Sequence, residues 1–282
     1  MKKTYLTIFV LFFFAFFSYC QEEVKLVILH TNDMHSQVET FDDNAGGYRA
    51  GNGGMVRIST YVNKVRAEEQ NVIVLDAGDF SQGSPYYNLF SGRTEIDMMN
   101  AIGYDVATFG NHEFDLGMDN LLELIELADF PFVNANYDFS ATVLKNHVKP
   151  YIIIEKSGLR IGVFGLGVSL KGFTFEKNIK GIVYKNTFEV ANELSDLLKN
   201  KLDCDLVICL SHLGFGDDEG KINDYALARQ SEFIDVIIGG HSHTFLEKPQ
   251  EAPNKNGKKV YIAQTGSQGI NVGRLDLILI KN

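Results

Sequence analysis

Short apolar segments with the length of buried strands alternate along this chain with longer segments that have helical spacing. This alternation constrains the fold most strongly, because strands separated by helices form an α/β sheet. Strands are predicted at 24–29, 72–75, 106–109, 132–135, 151–155, 160–166, 206–210, 236–238, 259–264 and 272–280. Helices are predicted at 56–69, 95–102, 118–128, 187–201 and 225–230. With no proline-rich linker and no repeat in residues 21–282, the sequence indicates one domain.

The first twenty residues differ from the rest of the chain. Lys2 and Lys3 precede an almost wholly apolar run at 4–19, which is short for a membrane span and typical of a secretory signal. We therefore predict a signal peptide at 1–20 and an exported protein. Two outcomes stay open at Cys20: lipidation would give a membrane-anchored lipoprotein, and ordinary cleavage after this residue would give a periplasmic protein.

The charge of the remaining chain limits its partners. Loss of Lys2 and Lys3 with the signal leaves 24 basic and 36 acidic residues, a formal charge of −12. This balance argues against a nucleic-acid polymer as partner, because phosphate backbones need a basic surface. A small phosphate ester remains compatible if metal ions neutralise it. The two remaining cysteines, Cys204 and Cys209, are predicted to be buried thiols, with one disulfide as the alternative.

Polar clusters follow five of the predicted strands at the point where each strand ends. They are DMH at 33–35, GD at 78–79, NH at 111–112, SH at 211–212 and HSH at 241–243. Ligands of α/β sheets bind outside the carboxyl ends of strands, so one fold would bring these clusters together. Taken singly, each histidine is more often structural. Imidazole, carboxylate and amide groups in this ordered set predict a site for Zn, Mn, Fe or Co.

The wording of these motifs carries a family resemblance. The motifs DMH, GD, GNHEFD, SHLG and GGHSH, in this order, resemble those of the calcineurin-like metallophosphoesterases. The longer stretches ILHTNDMHSQVE, VLDAGDFSQGSP and TFGNHEFDLG resemble the 5′-nucleotidase and UDP-sugar hydrolase branch, and the resemblance extends over residues 24–281. It implies a four-layer α-β-β-α sandwich with two divalent metal ions at the carboxyl ends of its strands.

The resemblance also implies a role for each matching residue. The first metal would be held by Asp33, His35, Asp79 and His243. The second would be held by Asp79, Asn111, His212 and His241. The shared ligand Asp79 would bridge the two ions, which need an anionic ligand between them to offset their repulsion. The identity of the metal stays open among Zn, Mn, Fe and Co.

Catalytic roles are implied for His112 and Asp115. His112 would face the phosphoryl group, stabilise its charge and protonate the leaving group, while Asp115 would accept the other ring N–H. Hydroxide formed at the metals would attack phosphorus in line. Glu113 is expected to be a loop residue without a chemical role, and Asp76 is expected to support its turn rather than bind metal.

The expected function is 5′-nucleotidase-type hydrolysis of extracytoplasmic nucleotides, which serves nucleotide catabolism and phosphate scavenging. Nucleotidases of this family usually carry a second domain that holds the base, and this sequence stops at Asn282. We therefore expect that domain to be absent from 21–282, and a separate chain is one way to supply it.

A less selective phosphomonoesterase or a 2′,3′-cyclic phosphodiesterase is the alternative function, with hydrolysis of a sulfur ester as a more distant one. A non-catalytic partner-binding protein on the same fold is the alternative from another class, and its function would survive chelation.

Overall fold

A computed structural model describes residues 23–216 and 221–280. The predicted signal peptide at 1–20, Cys20 and the question of its lipidation lie outside these residues. Within the two described ranges, no helix is both long enough and apolar enough to cross a membrane.

The strands and helices occupy the following bounds. The strands are β1 (Glu23–Thr31), β2 (Val72–Asp76), β3 (Val106–Ala107), β4 (Tyr137–Asp138), β5 (Tyr151–Lys156), β6 (Leu159–Gly167), β7 (Val183–Tyr184), β8 (Leu206–His212), β9 (Val236–Gly239), β10 (Gln250–Pro253), β11 (Lys259–Ala263) and β12 (Gly273–Ile280). The helices are α1 (Met55–Glu68), α2 (Pro85–Phe90), α3 (Arg93–Ile102), α4 (Met118–Leu127), α5 (Thr187–Asp196) and α6 (Asp224–Gln230).

Two mixed sheets carry most of these strands. The first sheet has the order β12-β1-β2-β3, in which β1, β2 and β3 run parallel and β12 is antiparallel to β1. The second has the order β10-β11-β9-β8-β6-β5, with four parallel strands between antiparallel edge strands. Parallel neighbours end at the same edge of a sheet, so the loops after β1, β2, β3, β8 and β9 can meet.

The core is divided into layers by the alternation of side chains along the strands. On β1, Leu26 and Ile28 pack in a cluster with residues of the second sheet, including Ile208 of β8. The intervening Val27 and Leu29 pack with residues of α1, α3 and α4 on the other face. A third cluster joins the outer face of the second sheet to α5 and α6. The layers are therefore helix, sheet, sheet, helix, and the predicted four-layer α-β-β-α fold is confirmed.

Most predicted elements are confirmed within one or two residues. Residues 132–135 form isolated bridges, Ala107 to Phe132 and Val133 to Lys149, instead of the predicted strand. The helix predicted at 187–201 ends at Asp196 and continues as a π-helical turn, Leu197–Lys201. Helix α2 was not predicted. Its start is nevertheless visible in the sequence, because the Ser84 side chain accepts a hydrogen bond from Tyr86 N and Pro85 occupies the first helical position. Cys204 and Cys209 are buried free thiols, as predicted.

Candidate metal centre and active site

The predicted site residues lie in the loops that follow five strands. Asp33 and His35 follow β1, Asp79 follows β2, Asn111 and His112 follow β3, His212 ends β8, and His241 and His243 follow β9. Three groups of these acids and histidines bring their ligand atoms within 4.8 Å of one another. Two of these groups combine residues from both sheets, so the site lies at an edge where the two sheets meet.

Left-handed backbone conformations are concentrated in these loops. The φ angles of five predicted ligands are positive: Asp33 50°, His35 47°, Asp79 55°, His241 72° and His243 53°. Residues other than glycine seldom adopt such angles, and they persist where the surrounding structure enforces them. Backbone bonds do so here: the Asp33 N–H donates to Gly78 O and the His35 N–H to Asp79 O, both at 2.9 Å. The turns after β1 and β2 are thus built as one unit.

The first acid–histidine group consists of Asp33, His35 and His243. The Nε2 atoms of the two histidines lie 2.8 Å apart, and His243 Nε2 lies 3.4 Å from Asp33 Oδ1. Asp33 is fully buried and its carboxylate also accepts hydrogen bonds from the His241 backbone N–H. One anionic oxygen facing two imidazole nitrogens is a donor set suited to a divalent transition metal.

The second group consists of Asp79, His212 and His241. His212 Nδ1 donates to Ala77 O at 2.7 Å, which leaves Nε2 as the acceptor nitrogen. That nitrogen lies 3.0 Å from Asp79 Oδ2. Both it and the buried Asn111 Oδ1 lack a hydrogen-bond partner anywhere in the described part of the chain. Buried acceptors are rarely left unpaired, and a cation at this point would satisfy both, so the residues fit a metal.

Asp79 connects these groups. It also forms a third group with His35 and His112, and its Oδ1 accepts a hydrogen bond from the His112 backbone N–H at 2.9 Å. Burial by itself would raise the pKa of Asp79, but the positive charge that His212, His112 and His35 carry when protonated holds that pKa well below its usual range. The carboxylate is therefore anionic at neutral pH, a charge state that suits a metal ligand.

Gly110 allows the strand ends to approach each other. A methyl group at its Cα would collide with the Asp79 carboxylate and lie 2.6 Å from His212 Nε2. The space between these two side chains is therefore available only because residue 110 has no side chain.

His112 and Asp115 form a hydrogen-bonded pair beside the acid–histidine groups. His112 Nδ1 lies 2.7 Å from Asp115 Oδ2, and the Thr174 hydroxyl donates to the other carboxylate oxygen at 3.1 Å. The bond to Asp115 raises the pKa of His112, against the opposing effect of burial. The pair orients the ring and leaves Nε2 available to a ligand.

The structure adds a structural role for Glu113, which was expected to be a loop residue without a chemical role. This side chain is only 2% exposed and accepts hydrogen bonds from the backbone N–H groups of Asp79, Ser81 and Gly110 and from the Ser81 hydroxyl. Burial, together with the negative charge of Asp79, raises its pKa to about 7. Glu113 therefore joins the turn after β2 to the turn after β3. Sequence reasoning missed it because its partners in the turn after β2 lie more than 30 residues away.

We expect Glu113→Gln to weaken both the fold and metal binding. The amide NH₂ would face two of the groups that now donate hydrogen bonds to the carboxylate. Each buried donor left without an acceptor lowers the free energy of unfolding by about 1–3 kcal/mol. A urea or thermal melt would measure the lower free energy of unfolding, and a metal titration the lower affinity. Glu126→Gln, a change at an exposed acid, is the control. Unchanged melting and metal affinity in Glu113→Gln would contradict this role.

Two other buried polar residues, Asp76 and Asn32, form hydrogen bonds with the turns that carry the site residues. Asp76 accepts hydrogen bonds from the Thr31 hydroxyl at 2.6 Å and the Gly78 N–H at 2.9 Å, and burial raises its pKa to about 8. It belongs to none of the candidate metal-binding groups among the described residues. Asn32 donates to Asp33 Oδ2 at 2.6 Å and to Gly266 O at 2.7 Å. Sequence reasoning gave Asn32 no role, although it lies inside the motif that contains Asp33.

Comparison with known proteins identifies relatives of this site and fold. A family model described as calcineurin-like phosphoesterase matches residues 26–245. A snake venom 5′-nucleotidase from Crotalus adamanteus is 32% identical over 291 residues, which cover 94% of this chain and 47% of that protein. The trifunctional nucleotide phosphoesterase protein YfkN of Bacillus subtilis is 32% identical over 284 residues, which cover 89% of this chain and 18% of that protein.

Solved structures give the same picture. A 5′-nucleotidase precursor from Thermus thermophilus superimposes with a TM-score of 0.81 at 30% identity, covering 90% of this chain and 51% of that one. The calcineurin-like phosphoesterase YfkN from Bacillus subtilis superimposes with a TM-score of 0.76 at 29% identity, covering 93% and 87%. The chain spans about half the length, or less, of the curated relatives described above.

Proposed function

The chain belongs to the calcineurin-like phosphoesterase family, and from that premise we propose that it is a two-metal hydrolase of nucleotide phosphoesters, of the 5′-nucleotidase type. The observation that carries the proposal is the convergence of acids and histidines from five strand ends, with Asp79 in two of the three groups. The names of the relatives support the nucleotide as substrate class.

The proposed ligands follow the groups in the structure. Asp33, His35 and His243 would hold one cation, and His212, His241 and Asn111 the other, with Asp79 shared. The unpaired acceptors Asn111 Oδ1 and His212 Nε2 support the second set. Two divalent cations held there would supply positive charge to the phosphoryl oxygens and lower the pKa of a coordinated water. The candidates for both cations are Zn, Mn, Fe and Co.

The protein's own catalytic groups are proposed to be His112 and Asp115. Asp115 holds His112 Nδ1 and so keeps the proton on that nitrogen in the neutral ring. When the ring is protonated, Nε2–H can donate to a phosphoryl oxygen or pass a proton to the departing alkoxide. The hydrogen bond to Asp115 raises the pKa of His112 and so favours this protonated form.

The cellular setting of the reaction is also part of the proposal. The charged start and apolar run at 1–20 support export, and either periplasmic release or a lipid anchor at Cys20 agrees with them. A separate chain that supplies a nucleotide-specificity domain remains a prediction from the family resemblance.

The proposal is tested by hydrolysis of AMP, UDP-glucose, 2′,3′-cyclic AMP and p-nitrophenyl phosphate, with metal content measured on the same protein. We expect turnover of AMP at about two metal ions per chain, and loss of that turnover on chelation, with recovery when divalent metal is restored. Equal turnover of all four substrates would favour the less selective phosphoesterase. No hydrolysis at full metal occupancy would contradict the proposal and favour the partner-binding protein.

A further inference from the structure

A cavity of about 630 Å³ adjoins the first acid–histidine group. We call it the side cavity, and its lining includes Tyr48, Arg49, Asn52, His243, Phe245 and Asn271. His243 belongs both to this lining and to the group with Asp33 and His35. A substrate whose phosphate lies at that group can therefore extend its remaining part into the side cavity.

Two aromatic rings in the lining are largely exposed. Tyr48 is 70% exposed and Phe245 is 56% exposed. Single exposed apolar residues are common on protein surfaces, but these two come from distant parts of the chain and line the same concavity. Aromatic rings with a few polar groups beside them are typical of sites for small planar ligands.

Arg49 adds a positive charge at the same place. Its guanidinium carbon lies 5.9 Å from the centre of the Tyr48 ring and 5.6 Å from that of Phe41. No carboxylate in residues 23–216 or 221–280 forms an ion pair with it. The guanidinium lies near both rings and can donate hydrogen bonds to a ligand.

The wall of the side cavity is joined to the metal centre by hydrogen bonds. The Gln268 N–H donates to Asp33 O at 2.7 Å, and the Asn32 side chain donates to Gly266 O and accepts from Thr265 N. Gly266 and Asn271 line the cavity. The loop at 265–271 and the Asp33 turn thus form one unit, so a ligand could contact both at once without a rearrangement of this wall.

We propose that the side cavity binds the nucleoside part of a nucleotide substrate, with its base against the rings of Tyr48 and Phe245. The proposal rests on the proposed nucleotidase function and names the part of this domain that contacts the base. Stacking on aromatic rings accepts every base, because each has a π face. The domain described here would therefore contact the base itself, and would prefer nucleotides to base-free phosphates.

The test compares AMP with ribose 5-phosphate, which carries the same sugar and phosphate but no base. The double variant Tyr48→Ala/Phe245→Ala is measured against Tyr261→Ala, which removes an exposed aromatic ring from β11 at the start of its pairing with β9, away from the carboxyl end. Loss of base stacking corresponds to roughly 5- to 100-fold. We expect the ratio of kcat/KM for AMP to that for ribose 5-phosphate to fall by this factor in the double variant alone. An unchanged ratio would overturn the proposal.

Binding of adenosine, which has no phosphate to hydrolyse, separates this proposal from the proposed function. If the wild-type protein hydrolyses neither AMP nor ribose 5-phosphate, the nucleotidase proposal fails. Calorimetric binding of adenosine then tests whether the side cavity binds a nucleoside. Weaker adenosine binding in the double variant, with wild-type affinity in Tyr261→Ala, would support the subsite. Equal affinity in all three proteins, or no binding to the wild type, would overturn it. If the double variant does not fold, Tyr48→Ala alone carries both measurements.

Discussion

Asp79→Asn is expected to lose both metal ions together and to lower kcat/KM by at least about 10²-fold. The change keeps the shape of the side chain but removes the negative charge that both cations would share. Without the shared anion the two cations would leave the site, and the hydrolysis that depends on them would be lost with them. Metal content by elemental analysis and kcat/KM for AMP, measured on the same preparation, would check the prediction.

The control for this variant is Asp129→Asn, which makes the same change at an exposed position. It should keep both metals and full activity. If Asp79→Asn retained one metal at full occupancy, the shared role of Asp79 would be contradicted. The two acid–histidine groups would then be independent sites.

His112→Ala is expected to lower kcat by about 10²- to 10⁴-fold while the metal content stays near two per chain. This is the range over which a positioned general acid or base contributes to the rate. Both kcat and metal content must be measured, because the structure allows two roles for His112. His112 is hydrogen bonded to Asp115, but it also lies in a group with His35 and Asp79 that could hold a cation.

Metal analysis decides between these roles for His112. Loss of metal in His112→Ala would make this residue a ligand and would contradict the catalytic assignment. His147→Ala, at an exposed histidine whose nearest described carboxylate is Glu126 at 4.0 Å, is the matched control. It should change neither quantity.

Local patterns were enough to predict an α/β fold and the edge at which the polar clusters would gather, because apolar runs predict strands, helical spacing predicts helices, and residues that directly follow parallel strands meet at one edge. The cluster after each strand could therefore be found without knowledge of the other strands. The same local reasoning missed the two-residue strands β4 and β7, which are too short to show an alternating pattern. It also predicted a strand at 132–135, where the structure has only isolated bridges. The four-layer arrangement and the role of each site residue were implied by the family resemblance.

The tertiary structure alone decided the features that depend on contacts between distant parts of the chain. The Glu113 carboxylate accepts hydrogen bonds from Asp79 N and Ser81 N. These partners lie more than 30 residues away, so the local sequence does not indicate them. The left-handed angles at Asp33 and Asp79 are enforced by hydrogen bonds between two turns, which the sequence around each residue does not show. Tyr48 and Phe245 line one cavity although almost 200 residues separate them in the sequence. Such contacts form only when the chain has folded, because each partner's position is set by a different strand or loop.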